Sequence, residues 1–458
     1  MISLRNLCTG RRPVHIFFGK ALRVSASFAA AMLAVAPLST VQAAPAPTQA
    51  RVVGQTVADF YRNRSNAPLW LSPTAGDAAE QLIVVLSNAR VDGLDSDRYG
   101  TSSLNEALRR AWGRDRKAVL AADRQLSEAF VAYVRDLRRD PGLGILYVDP
   151  QLRPLPPSPL AALLEAAMAP SLSNYVKTSG WMNPIYGELR QALLRHNYAS
   201  DQERERLQLN LERARSLPAG RGRFVMVNAA AQRLYMWENG RQVDSMRVVV
   251  GKPKYPTPLI TAYIRFAALN PYWYVPPDLA SERIAPNVLK RGLGYLNELG
   301  YQVMSDWSSN ATTVDPATID WQAVADGKTE IMIRQLPGAH NSMGRMKFMF
   351  PNAAGVYLHD NPERELFEQA ARLYSGGCVR LEDAARLGRW LFGRELEWEG
   401  AGTEEAVPLR TPVPVYITYL TAMPDGGSIA YFDDVYGRDA AKQAQLEGSS
   451  SPVANAGN

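Results

Sequence analysis

From about Val52 to Leu217 the apolar positions recur at helical spacing. Asp77–Arg90 is periodic and stops before Asp92-Gly93, a turn dipeptide. Asp123–Arg139 puts Leu126, Phe130, Val134 and Leu137 on one face at three- and four-residue spacing. Asn183–His196 and Asp201–Leu217 read as further helices, the second closed by Pro218. The proline-rich stretch Leu152–Pro159, ahead of these two, reads as a loop. Near Arg223 the period shortens to two. Phe224–Asn228 reads as a strand, and Arg233–Glu238 and Arg241–Val250 flank Asn239-Gly240. That dipeptide suits a type I′ hairpin, whose two central residues both need positive φ. Val413–Met423 alternates, and Asp425-Gly426-Gly427 turns it into Ser428–Phe432. The pattern predicts an α+β multidomain chain: a helical half over 52–220, then a mainly β domain over 223–440. Residues 441–458 are small and polar and read as a disordered tail.

The first 43 residues fit neither half. Arg5, Arg11, Arg12, Lys20 and Arg23 precede the apolar run Val24–Leu38, and Val41-Gln42-Ala43 offers small residues for cleavage. The run is shorter than the ~20 residues of a membrane span and contains Pro37. We read 1–43 as a secretory signal peptide and 44–51 as a linker, with no stable membrane span after cleavage. Removing the presequence leaves 46 basic against 45 acidic residues, so the net charge of +6 falls to about +1. That charge gives no footprint for nucleic acid. Cys8 and His15 leave with the signal. Cys378 is then the one thiol, beside three histidines, His196, His340 and His359.

A lone thiol in an exported chain is a buried small residue, an intermolecular disulfide partner or a nucleophile. Its context is Ser375-Gly376-Gly377-Cys378-Val379-Arg380, downstream of Val356-Tyr357-Leu358-His359-Asp360. Asn361 and Pro362 suit the start of a helix running to about Leu373. A helix of that kind, framed by a strand end and a glycine turn, can fold His359 back beside Cys378. A free thiol titrates near 8.5, so an adjacent imidazole that takes its proton makes thiolate chemistry possible. The glycines let backbone amides approach a substrate carbonyl, and those of Gly377 and Cys378 suit an oxyanion. Arg380 adds a positive charge near the thiol.

The Ser375–Arg380 run, with 18 residues between His359 and Cys378, resembles the signature of the L,D-transpeptidase (YkuD-type) family. Val249-Val250-Gly251-Lys252, Pro256-Thr257-Pro258, Asn270-Pro271-Tyr272-Trp273, Met343–Asn352 and Thr411–Tyr436 resemble its large Gram-negative subgroup. The likeness is dense over about 205–440. It is thinner in the helical half, at Phe60-Tyr61, Leu69-Trp70 and Asp92-Gly93-Leu94, which resembles that subgroup's scaffold domain. Two departures stand out. Gly376 occupies a place where many members carry His. There is also no room between Asn183–Asn197 and Asp201–Leu217 for the subgroup's peptidoglycan-binding module.

The resemblance implies a YkuD-type catalytic domain with a capping insertion at about 275–325. It implies a periplasmic enzyme of cell-wall biogenesis and a carbapenem target. Cys378 would attack a tetrapeptide stem at the carbonyl of its third, diamino-acid residue, releasing D-Ala. A second stem's side-chain amine would resolve the thioester as a 3–3 cross-link, with no metal and no cofactor. His359 would be the general base and acid, oriented by a backbone carbonyl near Asp360 or by Asp360 itself. Ser375 would shape the turn and Arg380 fix the loop. Tyr357 would form the site floor, and Asn341, Arg345 and Trp273 would contact substrate. Water as acceptor would make a carboxypeptidase instead, and a lipoprotein lysine a ligase. The rival from another class is a non-catalytic envelope scaffold, with protein partners docking on the helical half.

Overall fold

The computed structural model describes residues 49–113, 115–220, 222–308, 310–397 and 403–442. The signal-peptide reading and nearly all of the tail reading lie outside these residues. No described helix is long and apolar enough to cross a membrane.

The helical half contains α1 (Gln49–Asn63), α2 (Ala78–Ser87), α3 (Thr101–Ala111), α4 (Arg116–Leu137), α5 (Pro159–Ala167), α6 (Leu172–Lys177), α7 (Pro184–Leu194) and α8 (Asp201–Ala214). Helix α4 starts seven residues before Asp123, the start the pattern suggests, because the Asp115 carboxylate caps it by accepting from the Ala118 amide at 2.8 Å. Two buried carboxylates organise the interior. Asp123 accepts from the Tyr61 hydroxyl at 2.5 Å and from the amides of Leu69, Trp70 and Leu71 at 2.6–2.8 Å. Asp92 accepts from Tyr133 and Tyr186 and pairs with Arg190 at 2.8 Å. Among the described residues one strand lies in this half, β1 (Leu146–Tyr147), and it pairs with the sheet of the second half.

Strands β2 (Phe224–Asn228), β3 (Arg233–Glu238), β4 (Arg241–Gly251) and β5 (Ile260–Leu269) follow. The β3–β4 turn has the expected geometry, with φ of 53° at Asn239 and 73° at Gly240. An insertion after β5 holds a separate sheet in the order β6 (Trp273–Val275), β9 (Met332–Gln335), β7 (Tyr301–Met304), β8 (Thr313–Val314), with short helices and its own core. Because β9 pairs with β6, this unit extends past both ends of the 275–325 span. The main sheet resumes with β10 (Met346–Met349), β11 (Leu358–His359), β12 (Leu373–Ser375), β13 (Val379–Leu381) and β14 (Glu405–Thr418). Helix α9 (Ala384–Phe392) lies between the last two, and β15 (Ala422–Asp425) and β16 (Ser428–Tyr431) form the closing hairpin.

Two segments differ from the sequence pattern. The segment from Asn361 is no α-helix: a 3₁₀ turn, Arg364–Glu368, is followed by extended chain. Phe367 is its one buried apolar side chain, too little for an apolar stripe. Its arginines bond across the sheet instead, Arg364 to the Glu382 carbonyl at 2.6 Å and Arg372 to the Val248 carbonyl at 3.3 Å. The Val413–Met423 run is two strands, and the first begins earlier, at Glu405, with a bulge between Pro408 and Val413.

Strand β14 pairs with both β2 and β5, which closes the sheet on itself. Alternation then gives every strand an inner and an outer face. Val225, Val227, Leu234, Met236, Phe348, Leu358, Val379 and Leu381 fill the inside. On the outside, Phe224, Met226, Tyr235, Trp237 and Tyr416 bury into the core of the helical half. The outer face of β10, β11 and β13 is left for the site.

Candidate active site

The parallel pairing of β11 with β13 sets Leu358 beside Val379 and His359 beside Arg380. Leu358 and Val379 point inward, so Tyr357, His359, Cys378 and Arg380 share the outer face. No helix is needed to bring His359 and Cys378 together; adjacent strands do it.

His359 is 1% exposed. Its Nδ1 lies 2.7 Å from the Asp360 backbone carbonyl. A carbonyl only accepts, so Nδ1 carries the proton and Nε2 presents a lone pair. Burial, then Arg380, pushes the ring down from 6.5 to about 3, so it is neutral at rest. The Asp360 carboxylate does not orient it. That group accepts from Arg364 at 2.8 Å and from the Arg345 amide at 2.9 Å.

Cys378 is half-buried, its thiol 3.7 Å from the Gly355 carbonyl. Burial pushes the thiol up, and the Tyr357 backbone, Arg380 and Lys347 only partly offset it. The resting pair is therefore a neutral thiol beside a neutral imidazole, with Arg380 too weak to hold a thiolate in advance.

The turn at 375–378 is fixed from beneath. Ser375 Oγ donates to the Cys378 carbonyl at 2.5 Å and accepts from the Gly377 amide at 3.1 Å. The Gly377 amide is thus spent on the turn rather than open to an oxyanion. Gly377 sits at φ 116°, where a side chain would be strained. Thr257 Oγ1 accepts from the Gly251 amide at 2.8 Å and donates to the Gly377 carbonyl at 2.9 Å. Tyr436 donates to the Gly251 carbonyl at 2.6 Å. Above, Leu279 of the insertion lies 3.3 Å from where a Gly376 Cβ would stand, so the insertion reaches over the turn that carries Cys378. Glu282 reinforces it, pairing with Lys254 at 2.7 Å and accepting from the Tyr255 hydroxyl.

The remaining candidates separate. Arg380 pairs with Glu363 at 2.7 Å and bonds Asn361 at 3.3 Å, tying β13 to the turn after His359. Tyr357 is half-buried against the insertion core. Asn341 is 1% exposed, and its amide bonds the carbonyls of Pro271 and Leu336 and the Met343 amide. It staples the insertion and is not open to substrate. Trp273 is 6% exposed within the insertion core, so it packs rather than lines the cleft. Arg345 is exposed at a turn. A cleft of about 400 Å³ opens beside Arg380, lined by Arg283, Tyr301, Gln335 and His340 of the insertion and by Glu363. Sequence reasoning overlooked Thr257, Tyr436, Lys347 and Glu404; the first three lie in motifs quoted above, but their roles depend on strand register. Among the described residues, no group of three or more His, Cys, Asp or Glu side chains is placed to hold a metal ion.

Residues 222–415 match the L,D-transpeptidase catalytic domain, YkuD, and residues 55–193 match a family described as scaffold domain. A Haemophilus influenzae protein named "Putative L,D-transpeptidase" is 28% identical over 395 residues, covering 84% of this chain and 78% of that protein. Among solved structures, an L,D-transpeptidase from Mycobacterium smegmatis aligns at 14% identity and a TM-score of 0.22, over 43% of this chain and 58% of its own. The Ldtfm-avibactam carbamoyl enzyme aligns at 13% identity and a TM-score of 0.21, over 48% and 63%. This chain spans less than two thirds of either solved chain. The chain carries an L,D-transpeptidase catalytic domain of the YkuD family over residues 222–415, with a scaffold domain ahead of it over residues 55–193.

Proposed function

We propose that this protein is a peptidoglycan L,D-transpeptidase of the cell envelope, working in the periplasm and making 3–3 cross-links. The observation that carries the reading is the His359 ring, neutral and locked by Asp360 with Nε2 available, on the strand beside Cys378. When a tetrapeptide stem enters, the thiol proton passes to Nε2 as sulfur bonds the carbonyl carbon of the third residue. The Cys378 amide receives the oxyanion. The bond to D-Ala breaks as His359 returns the proton to the leaving amine, and a thioester remains. The side-chain amine of a second stem then attacks, giving a proton to His359, and sulfur leaves to recover it. The cleft beside Arg380 borders the site through that residue rather than through Cys378 or His359, and its mixed charges suit a stem peptide that carries carboxylates and an amine. Gly376 lets Leu279 close over the turn, which accounts for the small residue there. Carbapenems are acylating ligands for the same thiol.

The test is mass spectrometry of products after mixing the signal-free chain with purified disaccharide-tetrapeptide, beside Cys378→Ala. Dimers lacking one D-Ala, formed by the wild type alone, are the expected result. Tripeptide monomers alone would make water the acceptor. Cross-linking by Cys378→Ala would end the assignment.

A further inference from the structure

The outer face of the sheet holds one more buried charge, which the acyl transfer above does not use. Lys347 on β10 stands in register with His359 on one side, as Arg380 on β13 does on the other. Its side chain is 8% exposed. Nζ pairs with Glu404 at 3.0 Å, donates to the Tyr272 carbonyl at 3.3 Å, and lies 5.9 Å from the ring centroids of both Tyr274 and Tyr357. Glu404 also accepts from the Tyr272 amide at 2.8 Å. Burying the Lys347 ammonium costs desolvation, and Glu404, 28% exposed, repays it only through a pair that solvent screens, so stability alone does not account for a lysine beside an imidazole. The sheet order puts β10 between β11 and β5, and Glu404 leads into β14 on the far side of β5. The cation is thus the member of the pair nearer to His359.

We infer that Lys347 is a positioning residue for the proposed acyl transfer: with Arg380 it brackets the His359 ring between two cations, keeping the imidazole uncharged until the thiol proton arrives. This rests on the acyl-transfer reading. The charges facing the ring are Lys347 from β10, Arg380 and the Cys378 thiol from β13 and its turn, and the Asp360 carboxylate from its own segment. Glu363 is held by Arg380, and Asp360 by Arg364. Two cations oppose imidazolium and favour thiolate. The neutral pair therefore persists until proton and negative charge move together. Once formed, the imidazolium is a strong acid toward the departing amine.

The experiment uses the signal-free chain with ¹⁵N-labelled histidine, following His359 by NMR from pH 8 to below 3, beside alkylation of Cys378 by iodoacetamide across pH. Neither readout needs peptidoglycan. Lys347→Met and Glu404→Gln break the same ion pair, so a packing role moves both variants alike. A role through charge moves them apart. Lys347→Met is expected to tighten proton binding at His359 by about tenfold or more, the scale for removing a like charge nearby, and to raise the alkylation midpoint. Glu404→Gln leaves the cation without its anion, so proton binding at His359 does not tighten and the alkylation midpoint falls. Lys347→Arg is expected to titrate as the wild type does. Like-signed shifts in the two variants, or none in either, would overturn the assignment. Should Lys347→Met not fold, a raised alkylation midpoint in Glu404→Gln does so alone. Wild type that titrates as described but releases no D-Ala would instead refute the acyl-transfer reading.

Discussion

Holding a histidine neutral in the interior makes the fold acid-sensitive by an amount that can be worked out. Burial and the flanking cations hold His359 at about 3, against 6.5 in an unfolded chain. Above pH 6.5 both states carry a neutral ring, and its contribution to stability is complete. Below pH 6.5 the unfolded chain takes up a proton that the folded chain refuses until near pH 3. Stability then falls at a rate approaching about 1.4 kcal/mol per pH unit, and because the unfolded ring is half protonated at pH 6.5 the loss between pH 6.5 and 4.5 is about 2.3 kcal/mol. His359→Asn keeps a donor for the Asp360 carbonyl and has nothing to titrate. Other groups titrate alike in both proteins and cancel in the comparison. Scanning calorimetry at the two pH values should show the wild type losing more Tm than the variant. At roughly 2–4 °C per kcal/mol for a unit of 150–250 residues, the difference is about 5–10 °C. Equal losses would refute a neutral, buried ring.

Arg190→Met should destabilise the helical half by about 3–5 kcal/mol, because it strands the Asp92 carboxylate without its cation; thermal unfolding followed by circular dichroism measures it. Gly344→Ala should cut D-Ala release by up to about 10²-fold, the scale for a catalytic group moved by an ångström. Gly344 has φ 63°, and a Cβ there overlaps the Asp360 side chain, whose backbone carbonyl holds the His359 ring.

What the sequence shows of this protein depends on how far apart the cooperating residues lie. The β3–β4 hairpin was legible because two adjacent residues, Asn239 and Gly240, set its turn. His359 and Cys378 were legible because their residue types are rare here and their neighbours unusual. The path between them was not, since Asn361 and Pro362 offer a helix start that side chains such as Arg372 override by bonding across strands. Asn341 and Trp273 sit in motifs that resemble substrate-side residues, yet burial alone decides that they support the insertion. Thr257 lies 120 residues from Gly377, whose carbonyl it holds, and no local pattern announces that bond. Lys347 is a charge in a strand until the register sets it beside His359. Closure of the sheet was hidden too, resting on the long-range pairing of β14 with β5.

Closure also explains why the helical half is there. A closed sheet has one inside but a continuous outside, and here the outside carries apolar side chains on one side and the site on the other. Phe224, Tyr235, Trp237 and Tyr416, all 4–7% exposed, would face water without the helices. Aromatic side chains bury about 150–250 Å² each, and at ~25 cal/mol per Å² these four represent roughly 15–25 kcal/mol of gross burial. That exceeds the net stability of a typical domain. Continuity runs through the backbone as well: β1 adds to the edge of β5, and Asp149 beyond it accepts from the Tyr263 amide at 2.7 Å and pairs with Arg265. The scaffold is thus the outer wall of the catalytic sheet. With β2, β3 and β14 covered from that side, the face of β10, β11 and β13 is left to the insertion, and there Lys347, His359, Arg380 and Cys378 meet.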